Sequence, residues 1–374
     1  TYADPITTDW TGLAREIGNQ LRPGVAERDR TGEISASAFD SLRAQGIMRA
    51  LVPVEFGGGG ATHAEAGALL RELARHDAST AVTLAMHTHL VAAQVWRHKH
   101  GMDASKLFGK VVDGAMLVST GAADWVASSG SAVQVDGGYR VSGRKAPASG
   151  CEVGDIVVTS FRWSDAPDGP QVLHCAIPLN ANGVGVDLTW DTLGLRATGS
   201  HTVVFEDVFV PDAAVSLIRP ADTWPPILNI VMGAAMPLII ATYSGIADAA
   251  VDIALAAVAG RTEPHVHQLV GEMLNAHTTA VDVMGAMFAD SADLGFANTD
   301  AYASRTLCRK TVAAQALIET VRLAIEVVGG LGYSRHSELE RLYRDVHGCL
   351  FHPLPRAKQT QFSGRVALGL SPAA

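Results

Sequence analysis

The sequence predicts an α+β fold in which a helical segment, a block of strands and a second helical segment follow one another. Apolar residues recur at helical spacing up to about residue 113, alternate with polar residues from 114 to 222, and return to helical spacing afterwards. This grouping excludes the alternating βαβ order of a dinucleotide-binding Rossmann domain. We therefore predict three domains, a helical domain at 1–113, a β domain at 114–222 and a second helical domain at 223–374.

The first domain is predicted to consist of helices interrupted by one glycine-rich loop. In Ala64–His76, five apolar residues recur at helical spacing, which indicates an amphipathic helix. The segment Pro53–Gly60 ends in four consecutive glycines, and such a run does not remain helical.

The second domain is predicted to be built from strands because its apolar residues have a period of two. A hairpin signal, Asp136-Gly137-Gly138, lies within the alternating stretch Val133–Gly143. The alternating stretches are Val133–Gly143, Asp155–Phe161, Val172–Leu179 and His201–Pro211.

The third domain opens with a stretch, Thr223–Ala247, that contains no Asp, Glu, Lys or Arg. Its length would suffice to span a bilayer. However, it holds three prolines and lacks a flanking cluster of Lys or Arg. We expect a helix buried on several sides and keep the membrane span as the less favoured alternative. Long alanine-rich amphipathic runs that end at glycine predict the later helices.

Composition restricts the function classes. The chain has 374 residues and a formal net charge of −9, which disfavours nucleic-acid binding because that requires a basic face. Its four cysteines form no CxxC pair, which disfavours a zinc ribbon or a disulfide scaffold. No signal-peptide pattern opens the sequence, so a cytoplasmic location is the default expectation.

Three His-x-His pairs raise the question of a metal site: His87/His89, His98/His100 and His265/His267. Residues two apart on a helix point about 200° apart, so such a pair does not readily close on one ion. With no HExxH motif present, we expect no metal.

Four segments carry a resemblance to a known family. In chain order they resemble the signature segments of the acyl-CoA dehydrogenase superfamily, and together they extend over nearly the whole chain. The resemblance implies an N-terminal α-helical domain, a central β-barrel and a C-terminal four-helix bundle. The segments are PVEFGGGG (Pro53–Gly60), GYRVSGRKAPASGCEVGDIVV (Gly138–Val158), GLRATGSHTVVFEDVFVP (Gly194–Pro211) and AIEVVGGLGYSRHSELERLYRDV (Ala324–Val346).

The same resemblance implies a bound flavin, with FAD favoured over FMN. Ser149 falls where the family places the hydroxyl that faces flavin N5. Gly329 and Gly330 fall where the family's backbone approaches the cofactor's pyrophosphate across a subunit interface. The resemblance therefore implies a homotetramer. The positions that would bind the cofactor are Ser119, Thr120, Ser149, Arg261, Gly329 and Gly330.

The chemistry departs from that of a dehydrogenase, which uses a glutamate to remove the substrate's α-proton. Aligned from the Tyr-Arg-Asp signature, the usual glutamate position is Pro353, and the alternative position on the first C-terminal helix is Ala235. Both positions therefore lack the base. His352, next to Pro353, resembles instead the histidine of two-component flavin-dependent monooxygenases of this superfamily, which receive reduced flavin from a separate reductase.

These observations lead to one favoured function and two alternatives. We expect a monooxygenase that uses reduced flavin and O₂ on a small-molecule substrate, with His352, Ser149 and His87 as catalytic residues. In this view His352, with a pKa near 7, holds or relays a proton. The alternatives are an acyl-CoA or acyl-carrier dehydrogenase with a displaced base and a catalytically silent relative of this fold.

Overall fold

A computed structural model describes residues 8–121, 124 and 126–373 of the chain. Helices occupy the first and last parts of the chain, and the strands lie between them, so the predicted α+β order is confirmed. Two residues of the loop after Thr120, Ala122 and Ala123, lie outside the described residues.

The described residues of the N-terminal part contain six α-helices. The fourth begins with a capping box, in which Thr62 and Glu65 satisfy each other's free backbone amides. The fifth is capped by Asp77, whose carboxylate accepts from the amide of Thr80 at 3.1 Å. The helices are α1 Trp10–Leu21, α2 Val25–Thr31, α3 Ala36–Ala44, α4 His63–Ala74, α5 Ala78–Lys99 and α6 Ser105–Val112.

The residues described in the middle part form one mixed sheet of eight strands. Its order is β6-β7-β3-β2-β4-β5-β8, and β1 pairs in parallel with β4. Buried side chains from six of the strands meet in one core, as in a barrel, although the hydrogen-bonded path runs open from β6 to β8. The strands are β1 Leu117–Ser119, β2 Ser131–Val135, β3 Gly138–Lys145, β4 Ile156–Trp163, β5 Gln171–Pro178, β6 Val184–Asp187, β7 Thr202–Pro211 and β8 Val215–Pro220.

The C-terminal part contains the three longest helices of the described chain. The uncharged stretch lies in α7, which is long and apolar enough to cross a membrane but is buried among other helices. The contact is so close that a Cβ at Gly245 would lie 2.0 Å from the carbonyl of Arg71 in α4. The helices are α7 Pro226–Ala257, α8 Pro264–Ser291, α9 Asp300–Val328, α10 Glu338–Val346 and α11 Arg356–Ala367.

One guanidinium connects the three parts. Arg344 in α10 donates to both carboxylate oxygens of Asp29 in α2, at 3.1 and 2.7 Å. It also donates to the carbonyl of Leu193, in the loop between β6 and β7, at 3.0 Å. Glu340 completes its partners from one turn earlier in the same helix, at 2.7 Å. Segments about 150 and 315 residues apart in sequence thus converge on one side chain.

Candidate active site

Ser149 lies in the turn that follows β3 and is held by backbone hydrogen bonds on either side. The amide of Ala148 donates to the carbonyl of His201 at 3.1 Å, and the amide of Gly150 donates to the carbonyl of Thr198 at 3.0 Å. The Ser149 side chain is half-buried. Its position is therefore fixed by main-chain contacts with the segment that leads into β7.

Three hydroxyl groups form a chain that begins at Ser149. Its Oγ lies 2.8 Å from Oγ of Ser200, which lies 2.7 Å from Oγ1 of Thr198. Thr198 donates to the carbonyl of Leu195 at 3.0 Å. Ser200 and Thr198 were not predicted as site residues, because GLRATGSHT gave only the signal of a polar turn.

The segment that contains the predicted flavin-binding residues Ser119 and Thr120 lies against the residues just before Ser149. A Cβ at Gly121 would lie 2.8 Å from Cδ of Pro147 and 2.9 Å from the carbonyl oxygen of Ala146. Ser119 ends β1, and the hydroxyl of Thr120 lies 2.9 Å from that of Thr159 in β4. The structure thus brings the 119–121 and 146–149 segments together.

His352 is half-buried and interacts with the phenol of Tyr243 in α7. Its Nε2 lies 2.8 Å from the Tyr243 hydroxyl, and the two rings pack edge to face with centroids 5.3 Å apart. Tyr243 was not predicted, because a single tyrosine within an apolar helix has the pattern of an ordinary core residue.

Lys310 in α9 holds the backbone around His352. Its Nζ donates to the carbonyl of His352 at 2.7 Å and to that of Leu354 at 3.3 Å. The side chain is 2% exposed, and no carboxylate pairs with it in the described part of the chain. Burial lowers the pKa of Lys310 to about 8.

The environment also lowers the pKa of His352. Burial contributes most, Lys310 and His89 add to it, and the pKa falls to about 3. This corrects the sequence-based expectation of a pKa near 7. The imidazole is neutral at neutral pH, so it acts as a hydrogen-bonding group rather than as a stored proton.

His87 and His89 both lie in α5, but their rings have different partners. His87 uses both ring nitrogens on the backbone: Nε2 lies 2.8 Å from the carbonyl of Met48, and Nδ1 accepts from the amide of Leu117 at 2.9 Å. His89 is near enough to His352 to lower its pKa. Its Nδ1 contacts the carbonyl of Ala85 at 3.2 Å. Its Nε2 has no hydrogen-bond partner among the residues described. Of the two histidines, His89 is the one that contributes to the lowered pKa of His352.

A buried carboxyl links the hydroxyl chain to the helix that precedes His352. Asp345 in α10 accepts from the amide of Leu195 at 2.6 Å, and burial raises the pKa of Asp345 to about 7. Nearby, a Cβ on Gly348 would lie 2.6 Å from both Leu195 Cδ1 and the Tyr243 hydroxyl. The end of the hydroxyl chain and the partner of His352 therefore meet at Gly348.

The other predicted cofactor residues lie away from this group. Arg261 is exposed beyond the end of α7, where its Nε donates to Glu263 at 2.8 Å. Gly329 and Gly330 follow α9, and a Cβ on either would meet no atom within 4 Å. The neighbouring Leu331 and Tyr333 are 81% and 85% exposed. Within one chain, these residues do not join Ser149 and His352.

Two further observations bound the site. No group of three or more His, Cys, Asp or Glu side chains that could hold a metal ion occurs among the described residues. A cavity of about 1060 Å³ lies between α6 and the sheet, but its lining includes neither Ser149 nor His352. The candidate site is therefore defined by its polar groups rather than by this cavity.

Comparison with known proteins agrees with the fold. The acyl-CoA dehydrogenase N-terminal domain matches residues 13–107, and the acyl-CoA dehydrogenase C-terminal domain matches residues 232–349. L-evernosamine nitrososynthase from Micromonospora sp. is 30% identical over 377 residues, which cover 92% of this chain and 86% of the relative. The putative acyl-CoA dehydrogenase YdbM from Bacillus subtilis is 26% identical, with 92% of each chain covered.

A solved structure with 29% identity superimposes on nearly the whole chain. It is KijD3 in complex with FMN and dTDP-3-amino-2,3,6-trideoxy-4-keto-3-methyl-D-glucose, with a TM-score of 0.85 over 99% of this chain and 96% of that chain. The two domain matches and the near-complete coverage of a 30% identical relative show that this chain belongs to the acyl-CoA dehydrogenase family.

Proposed function

We propose that the protein is a flavin-dependent monooxygenase, which uses reduced flavin and O₂ to oxygenate a small-molecule metabolite. One observation carries the proposal. The two positions that hold the glutamate base in dehydrogenases are Pro353 and the buried Ala235. The polar group at this place is the neutral imidazole of His352, which is bonded to Tyr243. An imidazole with a pKa of about 3 is a poor base for an α-proton but suits hydrogen bonding in an oxygenation site.

The groups gathered here fit a flavin ring. The lack of a side chain at Gly121 lets the 119–121 segment approach Pro147 closely, since a Cβ there would clash with that ring. Ser149 presents a half-buried hydroxyl, and Ser119 and Thr120 lie on the adjoining strand end. We propose that these residues hold the ring. Arg261, Gly329 and Gly330 would then serve the phosphates from a neighbouring subunit of a homotetramer.

We propose FMN in preference to FAD, because the solved relative with 29% identity was crystallised with FMN. The bound reduced flavin supplies the two electrons that activate O₂, and a separate reductase supplies the reduced flavin. His352 and Ser149 orient the reacting groups by hydrogen bonds. His87 accepts a hydrogen bond from the first residue of β1, so we propose that it positions α5 and β1 at the site and does not contact the substrate. We place the protein in the cytoplasm, without a nucleic-acid or membrane partner.

Oxygenation of an amine nitrogen is the reaction to test first. A nitrososynthase and a protein crystallised with an amino-sugar nucleotide both match this chain over most of its length. The proposal is that a primary amine on a small metabolite is the group oxygenated.

The experiment mixes the protein with anaerobically reduced FMN, then with ¹⁸O₂-saturated buffer and a panel of amino-sugar nucleotides, simple amines and sulfur heterocycles. Incorporation of ¹⁸O into a product, seen by mass spectrometry, would support the proposal. A His352→Ala variant should lose product formation while it retains flavin binding. Binding of reduced flavin with only uncoupled release of hydrogen peroxide across the whole panel would count against it.

A second candidate, an acyl-CoA dehydrogenase with a displaced base, is favoured by one residue. Asp345 is a carboxyl near the site with a pKa of about 7, but it is 3% exposed and already bonded to Leu195. Bleaching of bound oxidised flavin by an acyl-CoA, lost in Asp345→Asn, would establish this candidate instead. A protein that binds neither oxidised nor reduced flavin would point to the catalytically silent relative.

A further inference from the structure

The hydroxyl chain from Ser149 to Leu195 has only one consistent arrangement of its protons. The chain contains three short oxygen–oxygen contacts, of 2.8, 2.7 and 3.0 Å, and three hydroxyl protons. Each contact needs one proton, because two oxygens at such distances repel each other without one. No other hydrogen bond of the Ser149, Ser200 or Thr198 hydroxyls occurs in the described part of the chain.

The carbonyl at the end of the chain sets the direction. A carbonyl oxygen only accepts, so Thr198 must use its proton on Leu195. The contact between Thr198 and Ser200 must then carry the proton of Ser200, and the contact between Ser200 and Ser149 must carry that of Ser149. The Ser149 oxygen is left with acceptor lone pairs towards the open side of the site.

We propose that Thr198 and Ser200 are positioning residues that make Ser149 an acceptor and thereby favour a reduced flavin over an oxidised one. The inference rests on the proposed function, in which Ser149 faces flavin N5. Reduced flavin carries a hydrogen on N5, which an acceptor matches, whereas the N5 of oxidised flavin is itself an acceptor. An acceptor that meets an acceptor leaves both groups unsatisfied in a partly buried place.

The direction of the hydroxyl hydrogen bonds can be tested by side-chain substitution, because backbone hydrogen bonds hold Ser149 in place. The amides of Ala148 and Gly150 bond to the carbonyls of His201, Thr198 and Gly199, and none of these bonds involves a hydroxyl. A Ser200→Ala variant therefore retains the turn. It removes the only acceptor of the Ser149 proton and frees the Ser149 hydroxyl to donate.

The experiment measures the dissociation constants of oxidised and anaerobically reduced FMN for the same protein. For the wild type we expect tighter binding of the reduced form. In Ser200→Ala and Thr198→Val the preference should fall by about fivefold to tenfold, since one mismatched hydrogen bond is relieved. A tenfold change corresponds to about 30 mV in the two-electron potential of the bound flavin.

Two control variants distinguish an effect of hydrogen-bond direction from a general loss of structure at the site. Thr198→Ser retains the hydroxyl and should retain the wild-type preference. Thr83→Val removes a neighbouring hydroxyl, which donates to the Thr198 carbonyl at 3.1 Å but is outside the chain. This variant should also leave the preference unchanged.

The outcomes distinguish this inference from the proposed function. A wild type that binds oxidised flavin as tightly as reduced flavin, or a preference unchanged in Ser200→Ala, would overturn the inference while leaving the monooxygenase in place. Failure to bind either form of flavin would overturn both.

Discussion

The hydroxyl of Tyr243 lies 2.8 Å from Nε2 of His352, and it has no second hydrogen-bond partner in the described part of the chain. Burial raises the pKa of Tyr243 well above its ordinary value, so the phenol retains its proton and is able to donate it to the imidazole. We predict this direction, in which Nε2 is the acceptor and the single ring proton of the neutral His352 resides on Nδ1.

Substitution of Tyr243 by Phe should therefore change the tautomer of His352 without removing the ring. We expect the oxygenation rate to fall by about tenfold, in line with the loss of one orienting hydrogen bond, while flavin affinity is retained. Nitrogen-15 chemical shifts of the imidazole report the tautomer directly. Tyr139→Phe in β3, a tyrosine whose hydroxyl makes no hydrogen bond to any described residue, is the control. Unaltered shifts in Tyr243→Phe would contradict the assignment.

Removal of the Lys310 charge should raise the pKa of His352. Burial, the first cause of the low pKa, remains in Lys310→Met, so we expect a value between about 3 and the ordinary 6.5. Since the folded pKa lies below that of the unfolded chain, His352 costs stability as the pH falls from 6.5 towards 3. That loss should become smaller in the variant if its other effects are pH-independent. An NMR titration of His352 measures the shift.

The other buried lysine provides the control for this test. Lys145, in β3, pairs with Asp124 rather than lying beside His352. Lys145→Met is therefore expected to reduce the free energy of unfolding while leaving the pKa of His352 as it is. If both substitutions moved that pKa equally, the effect of Lys310 would be a general loss of structure.

Asp345 should make stability depend on pH in the opposite sense. Its pKa is raised from 3.8 to about 7 on folding, so the folded chain holds more protons than the unfolded chain between these values. Its contribution is full below about pH 4 and is lost as the pH rises through 7. Relative to Asp345→Asn, the wild type should lose at most about 1.4 kcal/mol per pH unit across this range. Urea unfolding at pH 5, 6, 7 and 8 measures the difference, and parallel curves for both proteins would refute it.

Gly348 should be intolerant of a methyl group. A Cβ there would lie 2.6 Å from the Tyr243 hydroxyl and from Leu195, so Gly348→Ala is expected to cost about 1–3 kcal/mol and to displace the phenol from His352. Gly364→Ala, in α11, meets no atom within 4 Å and should be neutral or stabilising. Thermal unfolding and the His352 chemical shifts of both variants provide the comparison.

The exposed residues after the glycine pair should belong to a subunit contact. Leu331 and Tyr333 are 81% and 85% exposed in the single chain, next to Gly329 and Gly330. We expect the wild type to sediment as a tetramer, and the double variant Leu331→Asp, Tyr333→Asp to sediment as a smaller species and to bind flavin more weakly. Sedimentation velocity, with and without FMN, checks both. A monomeric wild type with full flavin affinity would contradict the tetramer.

The order of helices and strands could be predicted because it depends on hydrophobic period, which each segment carries by itself. The uncharged stretch was correctly assigned to a buried helix, since its prolines and missing flanking charges disfavoured a membrane span. The open path of the sheet could not be predicted, because it depends on which strand edges meet, and period does not report that.

The site was harder to predict, because a residue belongs to it through the contacts that its side chain makes in the folded chain and not through its residue type. His87 and His89 are both buried in one helix. Only the structure shows that the first ring is held by Met48 and Leu117, while the second contributes to the lowered pKa of His352. Lys310 and Tyr243 reach His352 from helices 42 and 109 residues away, and no local motif encodes such contacts.

The hydrogen bonds of Arg344 restrict which segments could be recombined between proteins of this family. Its guanidinium is shared by α2, the loop before β7 and α10, so a hybrid whose exchanged segment lacked the matching residue would leave Asp29 or Leu193 without its partner. An unpaired, partly buried carboxylate costs far more than a lost surface contact. Recombination between such chains should therefore succeed when crossover points leave all three segments to one parent, despite their distance in sequence.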